Sequence, residues 1–225
     1  MRVVIAGAGL VGRGLARRLI EGKHDVVVID ADRETCERVY SQLGVTAVHG
    51  SATSIYTLED AEVGRAECVA GLMRRDSDNL CFALLAKHLG AQRIIVRMRD
   101  PRYEEPYRLA GVTRVLNIVD LYLNQLTWEI EEPGVKEVTT FGEGNASIVF
   151  AKMPEHSRAA GRTVAEITQD ADFPTDCVLA GVFRPATGQF IIPRGSAVVE
   201  VGDRVYLAGY TQQLRRAIRY FGLKQ

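Results

Sequence analysis

The stretch Arg2-Val3-Val4-Ile5-Ala6-Gly7-Ala8-Gly9-Leu10-Val11-Gly12 decides the fold of this chain. An apolar run typical of a strand leads directly into a Gly-x-Gly-x-x-Gly pattern, and apolar residues at helical spacing follow it. A second apolar run then ends at Asp30. Strand, glycine turn, helix, strand and acid in this order are the sequence form of a dinucleotide-binding unit.

Each glycine of the pattern has its own steric reason. Gly7 allows a tight turn out of the strand, Gly9 lets the backbone approach a pyrophosphate, and Gly12 lets the helix pack closely. The unpaired N–H groups at the start of the helix then face the phosphates. We predict a left-handed cap at Gly22, where this helix ends. The predicted ligand contacts of the turn are Gly7, Ala8, Gly9, Leu10, Val11 and Gly12.

The alternation of strand and helix patterns predicts the fold class of the first part of the chain. It indicates an α/β, Rossmann-like, doubly wound parallel sheet with the strand order 3-2-1-4-5-6. Past Pro133-Gly134 the alternation stops, and short strands separated by turns such as Gly142-Glu143-Gly144-Asn145 replace it. We therefore predict a nucleotide-binding domain over residues 1–134 and a small α+β domain over residues 135–225.

The strand ends of such a sheet meet at one crevice. Asp30 can accept hydrogen bonds from ribose hydroxyls but repels a 2′-phosphate, so that NAD(H) is favoured over NADP(H). ATP and ADP share the adenine-ribose contact and stay possible ligands of the same crevice. The residues predicted at these strand ends are Asp30, Ala31, Ser51, Ala52, Met73, Arg74 and Arg97.

Composition excludes several other classes of function. Lys plus Arg and Asp plus Glu number 28 each, so we expect no nucleic-acid partner. The four cysteines form no CxxC pair and the four histidines are scattered, which indicates a reduced cytosolic protein without a sequence-local metal site. The apolar runs have the length of strands and are too short to span a bilayer.

The chain shows no candidate catalytic residues. An oxidoreductase needs a general acid or base beside the nicotinamide, and His156 has no partner carboxylate at an informative spacing. Tyr220 and Lys224 match a YxxxK pair, but Gly222 interrupts the helix between them, and we interpret the match as chance. We expect a binding protein that is not an enzyme. A small NAD-dependent oxidoreductase and a free nucleotide or redox sensor remain as alternatives.

Seven stretches spread over both halves of the chain together form a more specific pattern. They are Val4–Gly12, Val28–Asp32, Arg93–Arg97, Ala160–Ile167, Phe183-Arg184, Ile192–Ser196 and Val201–Val205. These stretches resemble the regulatory subunits of Trk-type potassium uptake systems, the RCK (regulator of potassium conductance) family. The resemblance covers essentially the whole chain, and its second half is the more specific part, since many dehydrogenases share the glycine fingerprint.

The resemblance implies a cytoplasmic protein at the inner face of the cell membrane. It implies a homodimer that assembles into a larger ring, a tetramer or octamer, on an integral-membrane potassium channel or transporter subunit. Nucleotide occupancy would bias the ring between conformations and so gate the pore. The family's nucleotide contacts carry over to Gly7–Val11, Asp30, Met73-Arg74 and Arg97. Ser51 departs from the family, because many relatives have Asp there.

Overall fold

The computed structural model of the protein describes residues 1–141 and 145–222. It divides into two compact units, Met1–Asp120 and Leu121–Gln225. The domain boundary predicted after Gly134 stays a prediction; the helix that precedes it packs Trp128 into the core of the second unit. The predicted turn at residues 142–144 and Lys224 lie outside the described residues.

The first unit is built on a parallel sheet of six strands. Their order is 3-2-1-4-5-6, which confirms the predicted doubly wound fold. The strand β1 is Arg2–Ala6, and the others are β2 Asp25–Asp30, β3 Thr46–His49, β4 Cys68–Gly71, β5 Ile94–Met98 and β6 Arg114–Asn117.

Helices cover both faces of this sheet. Alternate residues of β1 point to opposite faces, so Val3 and Ile5 join one core while Val4 and Ala6 join the other. The helices are α1 Leu10–Glu21, α2 Arg33–Leu43, α3 Ile55–Asp60, α4 Asp76–His88 and α5 Glu104–Leu109, with 3₁₀ turns at Val63–Arg65 and Pro101–Tyr103. The next helix, α6 Ile118–Glu131, runs from the end of the first unit into the second. With both faces covered, the carboxyl edge of the sheet is left for a ligand.

The predicted left-handed cap at Gly22 is wrong by one residue. Gly22 has φ −76°, and Lys23 takes the left-handed conformation with φ 60°. The His24 amide donates to the Leu19 carbonyl at 2.9 Å and the Lys23 amide to the Ile20 carbonyl at 2.8 Å. These two bonds form a Schellman motif centred on Lys23, because the helix continues through Gly22 before it reverses.

The second unit is a small α+β domain, as predicted. Its sheet is antiparallel with the order β10-β9-β11-β8-β7. The core on one face joins Trp128 of α6 to residues of the sheet and of α8 such as Val149, Leu207, Leu214 and Ile218. The elements are β7 Val135–Phe141, β8 Ala146–Lys152, α7 Val164–Thr168, β9 Cys177–Arg184, β10 Gln189–Ile191, β11 Arg204–Tyr210 and α8 Thr211–Tyr220.

Within the part of the chain that the structure describes, no helix combines the length and the apolar character needed to cross a bilayer.

Tyr220 belongs to a polar network that fixes the end of α8. Its hydroxyl donates to the Asp170 carboxylate at 2.8 Å, and the Arg162 guanidinium reaches both groups at 2.8 Å. The Arg158 guanidinium lies 4.0 Å from the centroid of the Tyr220 ring. These contacts anchor Tyr220 in the packing of the second unit.

The same network makes the second unit sensitive to acid. The Arg162 hydrogen bond, followed by those from the Asp172 amide and the Tyr220 hydroxyl, lowers the pKa of Asp170 to about 2. A lowered folded-state pKa adds stability that is fully present above the unfolded value of about 3.9 and is lost as the pH falls through about 2.

We predict that Asp170→Asn destabilises the second unit at neutral pH and that this deficit shrinks on acidification. The free energies of unfolding of wild type and variant should differ by a constant amount above about pH 5 and converge between about pH 4 and pH 2. Urea unfolding followed by fluorescence measures this, since the one tryptophan, Trp128, lies in the second core. A difference that stays constant down to pH 2 would contradict the assignment.

Candidate nucleotide-binding site

A cavity of about 480 Å³ opens at the carboxyl ends of β1 to β4. It lies where the sheet order reverses, the place where such sheets bind ligands. The predicted residues that line it are Gly7, Gly9, Asp30, Ala31, Ser51, Ala52, Met73 and Arg74. Gly50, whose place at the end of β3 also puts it at this crevice, lines the cavity too. The lining residues that were not predicted as ligand contacts are Ile29, Asp32, Thr35, Thr53, Leu72 and Asp78.

The Asp30 carboxylate ties the two central strand ends together. Its Oδ2 accepts the Ala8 amide N–H at 2.7 Å, and its Oδ1 accepts the Asp32 amide N–H at 2.9 Å. The Gly7 amide in turn donates to the Ile29 carbonyl at 2.8 Å. A carboxylate has about four lone-pair sites, so both oxygens can still accept hydroxyl groups from a ligand.

The three glycines of the turn differ in what surrounds them. Gly7 has φ 101°, a conformation that side chains disfavour, and a Cβ added at Gly12 would lie 1.9 Å from the Gly7 carbonyl oxygen. These two glycines are therefore required by the fold. A Cβ added at Gly9 meets no heavy atom within 4 Å and faces the open cavity. Gly9 is the glycine that leaves room for a ligand.

The other predicted residues of the turn do not line the cavity. Ala8 is buried and contributes its amide to Asp30, and Gly12 is buried inside α1. Leu10 and Val11 are exposed by 84% and 55%. No side chain caps the start of α1, so its first amides are available to an anion. Contacts from these residues would be made by the backbone.

Arg97 lies behind the cavity wall. Its Nε donates to the Met73 carbonyl at 2.8 Å, and it is not among the residues that line the cavity. Burial lowers the pKa of Arg97, and the positive charge of Arg99 nearby adds to the effect. The structure thus brings Arg97 to the site through Met73, whereas Arg74 lines the cavity directly.

The wall beside Asp30 carries polar groups from the first turn of α2. Asp32 occupies the N-cap position of α2, and its carboxylate accepts the Thr35 hydroxyl at 2.6 Å. This hydrogen bond is the main reason why the pKa of Asp32 is lowered. On the neighbouring loop, the Ser51 and Thr53 hydroxyls lie 2.7 Å apart. Asp32 and Thr35 both line the cavity.

The residues that line the cavity have the groups needed to bind and orient a ligand. The cavity lining holds carboxylates, hydroxyls and one guanidinium, with no histidine or cysteine among the lining residues. His156 belongs to the second unit, where its Nε2 lies 3.0 Å from the Gly222 carbonyl. Among the described residues, no three His, Cys, Asp or Glu side chains cluster as metal ligands would.

Alanine substitutions at Gly12 and Gly9, with Gly14 as a control, separate the structural role of one glycine from the ligand-binding role of the other. We predict that Gly12→Ala destabilises the first unit by about 1–3 kcal/mol or more, because its Cβ overlaps the Gly7 carbonyl. Gly9→Ala should stay within about 0.5 kcal/mol of wild type yet weaken NAD⁺ binding by about tenfold or more, because its methyl group enters the cavity. Thermal unfolding and calorimetric titration measure the two effects.

Gly14→Ala is the matched control, since a Cβ at this position of α1 meets no heavy atom within 4 Å. It should gain up to about 1 kcal/mol of helix stability and leave NAD⁺ binding unchanged. Equal NAD⁺ affinity in Gly9→Ala and wild type would contradict the placement of the ligand over Gly9.

Two domain families match the chain. Residues 3–118 match the TrkA-N domain and residues 148–222 match the TrkA-C domain. A Trk system potassium uptake protein TrkA homolog of Archaeoglobus fulgidus is 36% identical over 228 residues, covering 99% of this chain and 50% of its own length. A homolog of the same name from Methanothermobacter thermautotrophicus is 29% identical, covering 98% of this chain and 99% of its own. The chain thus spans about half of the first relative and nearly all of the second.

Solved structures share the architecture. The GsuK channel bound to NAD aligns with a TM-score of 0.68 at 24% identity, over 98% of this chain and 39% of that chain. GsuK bound to ADP aligns with a TM-score of 0.51 at 28% identity, over 57% of this chain and 35% of that chain. The first likeness shows that the fold extends over both units.

These comparisons also bear on the expectation that the protein is not an enzyme. The curated relatives are named as potassium uptake proteins, and neither of the two names given above is that of an enzyme. The TrkA-N match covers more than half of the chain, and the TrkA-C match follows it in order. The chain belongs to the TrkA-N domain family and carries a TrkA-C domain after the TrkA-N domain.

Proposed function

We propose that this protein is a nucleotide-binding regulatory subunit of a potassium transport system. The observation that carries the proposal is the Asp30 carboxylate, held by the Ala8 and Asp32 amides at the mouth of an open cavity. The relatives that are named potassium uptake proteins support the transport role. The proposed nucleotide contacts are Gly7, Ala8, Gly9, Leu10, Val11, Gly12, Asp30, Ala31, Ser51, Ala52, Met73, Arg74 and Arg97.

NAD(H) is the first ligand in this proposal, and ADP or ATP is the second. Asp30, Asp32 and Asp78 line the cavity against a single cation, Arg74, so the lining is acidic overall. An acidic lining disfavours the larger negative charge of ATP and of a 2′-phosphate. GsuK structures bound to NAD and to ADP support both kinds of nucleotide.

The proposal includes assembly of the chain with copies of itself. Along α6, five apolar side chains are exposed, and Tyr122, Leu126 and Ile130 recur at four-residue spacing on one stripe. Such a stripe is stabilised when another copy covers it. The five side chains are Leu121, Tyr122, Leu123, Leu126 and Ile130.

In the full proposal, homodimers join into a tetrameric or octameric ring on an integral-membrane potassium channel or transporter subunit. The protein then lies in the cytoplasm at the inner face of the cell membrane, held there by its partner. A nucleotide that binds two ring conformations with different affinity shifts the balance between them and so gates transport.

The Asp30→Ala variant tests the nucleotide site. Loss of hydrogen bonds to a charged group should cost about 1–3 kcal/mol, which weakens NAD⁺ by roughly 5- to 150-fold in calorimetric titration. The preference of wild type for NAD⁺ over NADP⁺ should narrow in the variant, because the repulsion of the 2′-phosphate is gone. Asp60→Ala removes an exposed carboxylate of α3 and is the control, with wild-type affinity expected.

Unchanged NAD⁺ affinity in Asp30→Ala would overturn the proposed site. The same purified protein distinguishes the regulator from the alternative oxidoreductase. Absorbance of NADH should stay constant in its presence, and steady oxidation of NADH with a metabolite would contradict the regulatory function.

The Ile130→Glu variant tests assembly. A charge in a stripe that is covered between copies must be desolvated, so the variant should form smaller assemblies than wild type in light scattering. Gln125→Glu places the same charge at another exposed position of α6 and should leave the mass unchanged. A monomeric wild type, or identical masses for wild type and Ile130→Glu, would contradict association through α6.

A further inference from the structure

Asn79 is buried where β4 and β5 separate. The last residue pair between these strands joins Gly71 to Val96, and beyond it the two strands are no longer paired. Asn79 lies in the first turn of α4 and is only 1% exposed. Its position places an amide side chain in the gap between two strands that no longer bond to each other.

The Asn79 amide replaces the missing bonds between the strands. Its Oδ1 accepts the Met73 amide N–H at 3.0 Å, and its Nδ2 donates to the Met73 carbonyl at 3.0 Å. The same Nδ2 lies 3.3 Å from the Arg97 carbonyl, which belongs to the other strand. Asn79 therefore bonds both backbone groups of Met73 and bridges to β5, and it shares the Met73 carbonyl with Arg97 Nε.

The Asn79 side chain amide is closely packed against Gly71. A Cβ added at Gly71 would lie 3.2 Å from Asn79 Oδ1, 3.0 Å from the Phe82 ring and 3.3 Å from the Val96 side chain. These distances are tighter than ordinary van der Waals contact. Only glycine at position 71 leaves the amide its present place.

The backbone that Asn79 holds is a wall of the nucleotide cavity. Leu72, Met73 and Arg74 all line the cavity, whereas Asn79 does not. A Cβ added at Gly7 would lie 3.2 Å from the Leu72 carbonyl carbon and 3.3 Å from the Met73 nitrogen. The wall thus abuts the glycine turn directly, and a shift of the Met73 peptide changes the width of the crevice.

We propose that Asn79 is a positioning residue for nucleotide binding. It touches no ligand, and it acts by fixing the Met73 peptide against Gly7 and so setting the distance between the glycine turn and the wall that carries Arg74. The inference rests on the proposed nucleotide-binding function and adds to it a residue that lies outside the cavity.

Thr113 offers a matched control for Asn79. Its hydroxyl accepts the Ile94 amide N–H at 3.0 Å and donates to the Ile94 carbonyl at 2.7 Å. It is thus the same kind of clamp on one backbone residue, placed at the opposite end of β5 from the cavity. Thr113→Val and Asn79→Ala each remove such a clamp from the same unit.

The experiment compares NAD⁺ affinity with thermal stability in these variants. Both variants should melt at a lower temperature than wild type. In calorimetry at a temperature where all three are folded, Asn79→Ala should bind NAD⁺ about tenfold more weakly or worse, and Thr113→Val should stay within about twofold of wild type. Gly71→Ala displaces the amide by a few tenths of an ångström. It should weaken NAD⁺ by a smaller factor, which keeps the test possible if Asn79→Ala does not fold.

Two results would overturn the inference alone: wild-type NAD⁺ affinity in Asn79→Ala or Gly71→Ala, or equal weakening in Asn79→Ala and Thr113→Val. A wild type that binds neither NAD⁺ nor ADP overturns the proposed function, and this inference with it. If wild type binds NAD⁺ or ADP, a negative result with the variants overturns only the role of Asn79 and leaves the proposed nucleotide-binding function standing.

Discussion

The hydrogen bond from the Ala8 amide to the Asp30 carboxylate, 2.7 Å long, is the interaction on which the site depends. It joins the end of β1 to the end of β2 and fixes the glycine turn from which α1 starts. The other oxygen of the same carboxylate accepts the Asp32 amide, so that one side chain joins the glycine turn to the backbone that leads into α2. These two hydrogen bonds fix the backbone beside the residues that line the cavity.

Near this hydrogen bond, the glycine turn combines close packing with open space at the carboxyl edge of the sheet. Gly7 and Gly12 are needed by the fold itself, and Gly9 leaves the open space over the turn. On the other side of the crevice, Asn79 holds Met73 where the strands part. The second unit has a core of its own and carries the exposed stripe of α6. In the proposed function, one unit receives the nucleotide and the other serves assembly.

Much of this could be predicted from the sequence, because periodicity and glycine spacing report on local geometry. The strand order followed from the alternation of elements, and the position of Asp30 at the cavity from its place at the end of β2. The contribution of the helix starts to the cavity was not predicted. Asp32 and Thr35 at the start of α2 and Asp78 at the start of α4 line the cavity because of how these helices pack on the sheet. Likewise, only the structure shows Arg97 bonded to the Met73 carbonyl behind the cavity wall.

Amide-resolved NMR of the protein during titration with NAD⁺ shows which backbone groups the nucleotide contacts. We expect the largest shifts of amide signals at three strand ends, Gly7–Gly9, Asp30–Asp32 and Met73-Arg74, with the Ala8 signal moving together with the others. Saturable binding with shifts confined to other parts of the chain, or no shift at all, would contradict the claim that these strand ends form the nucleotide site.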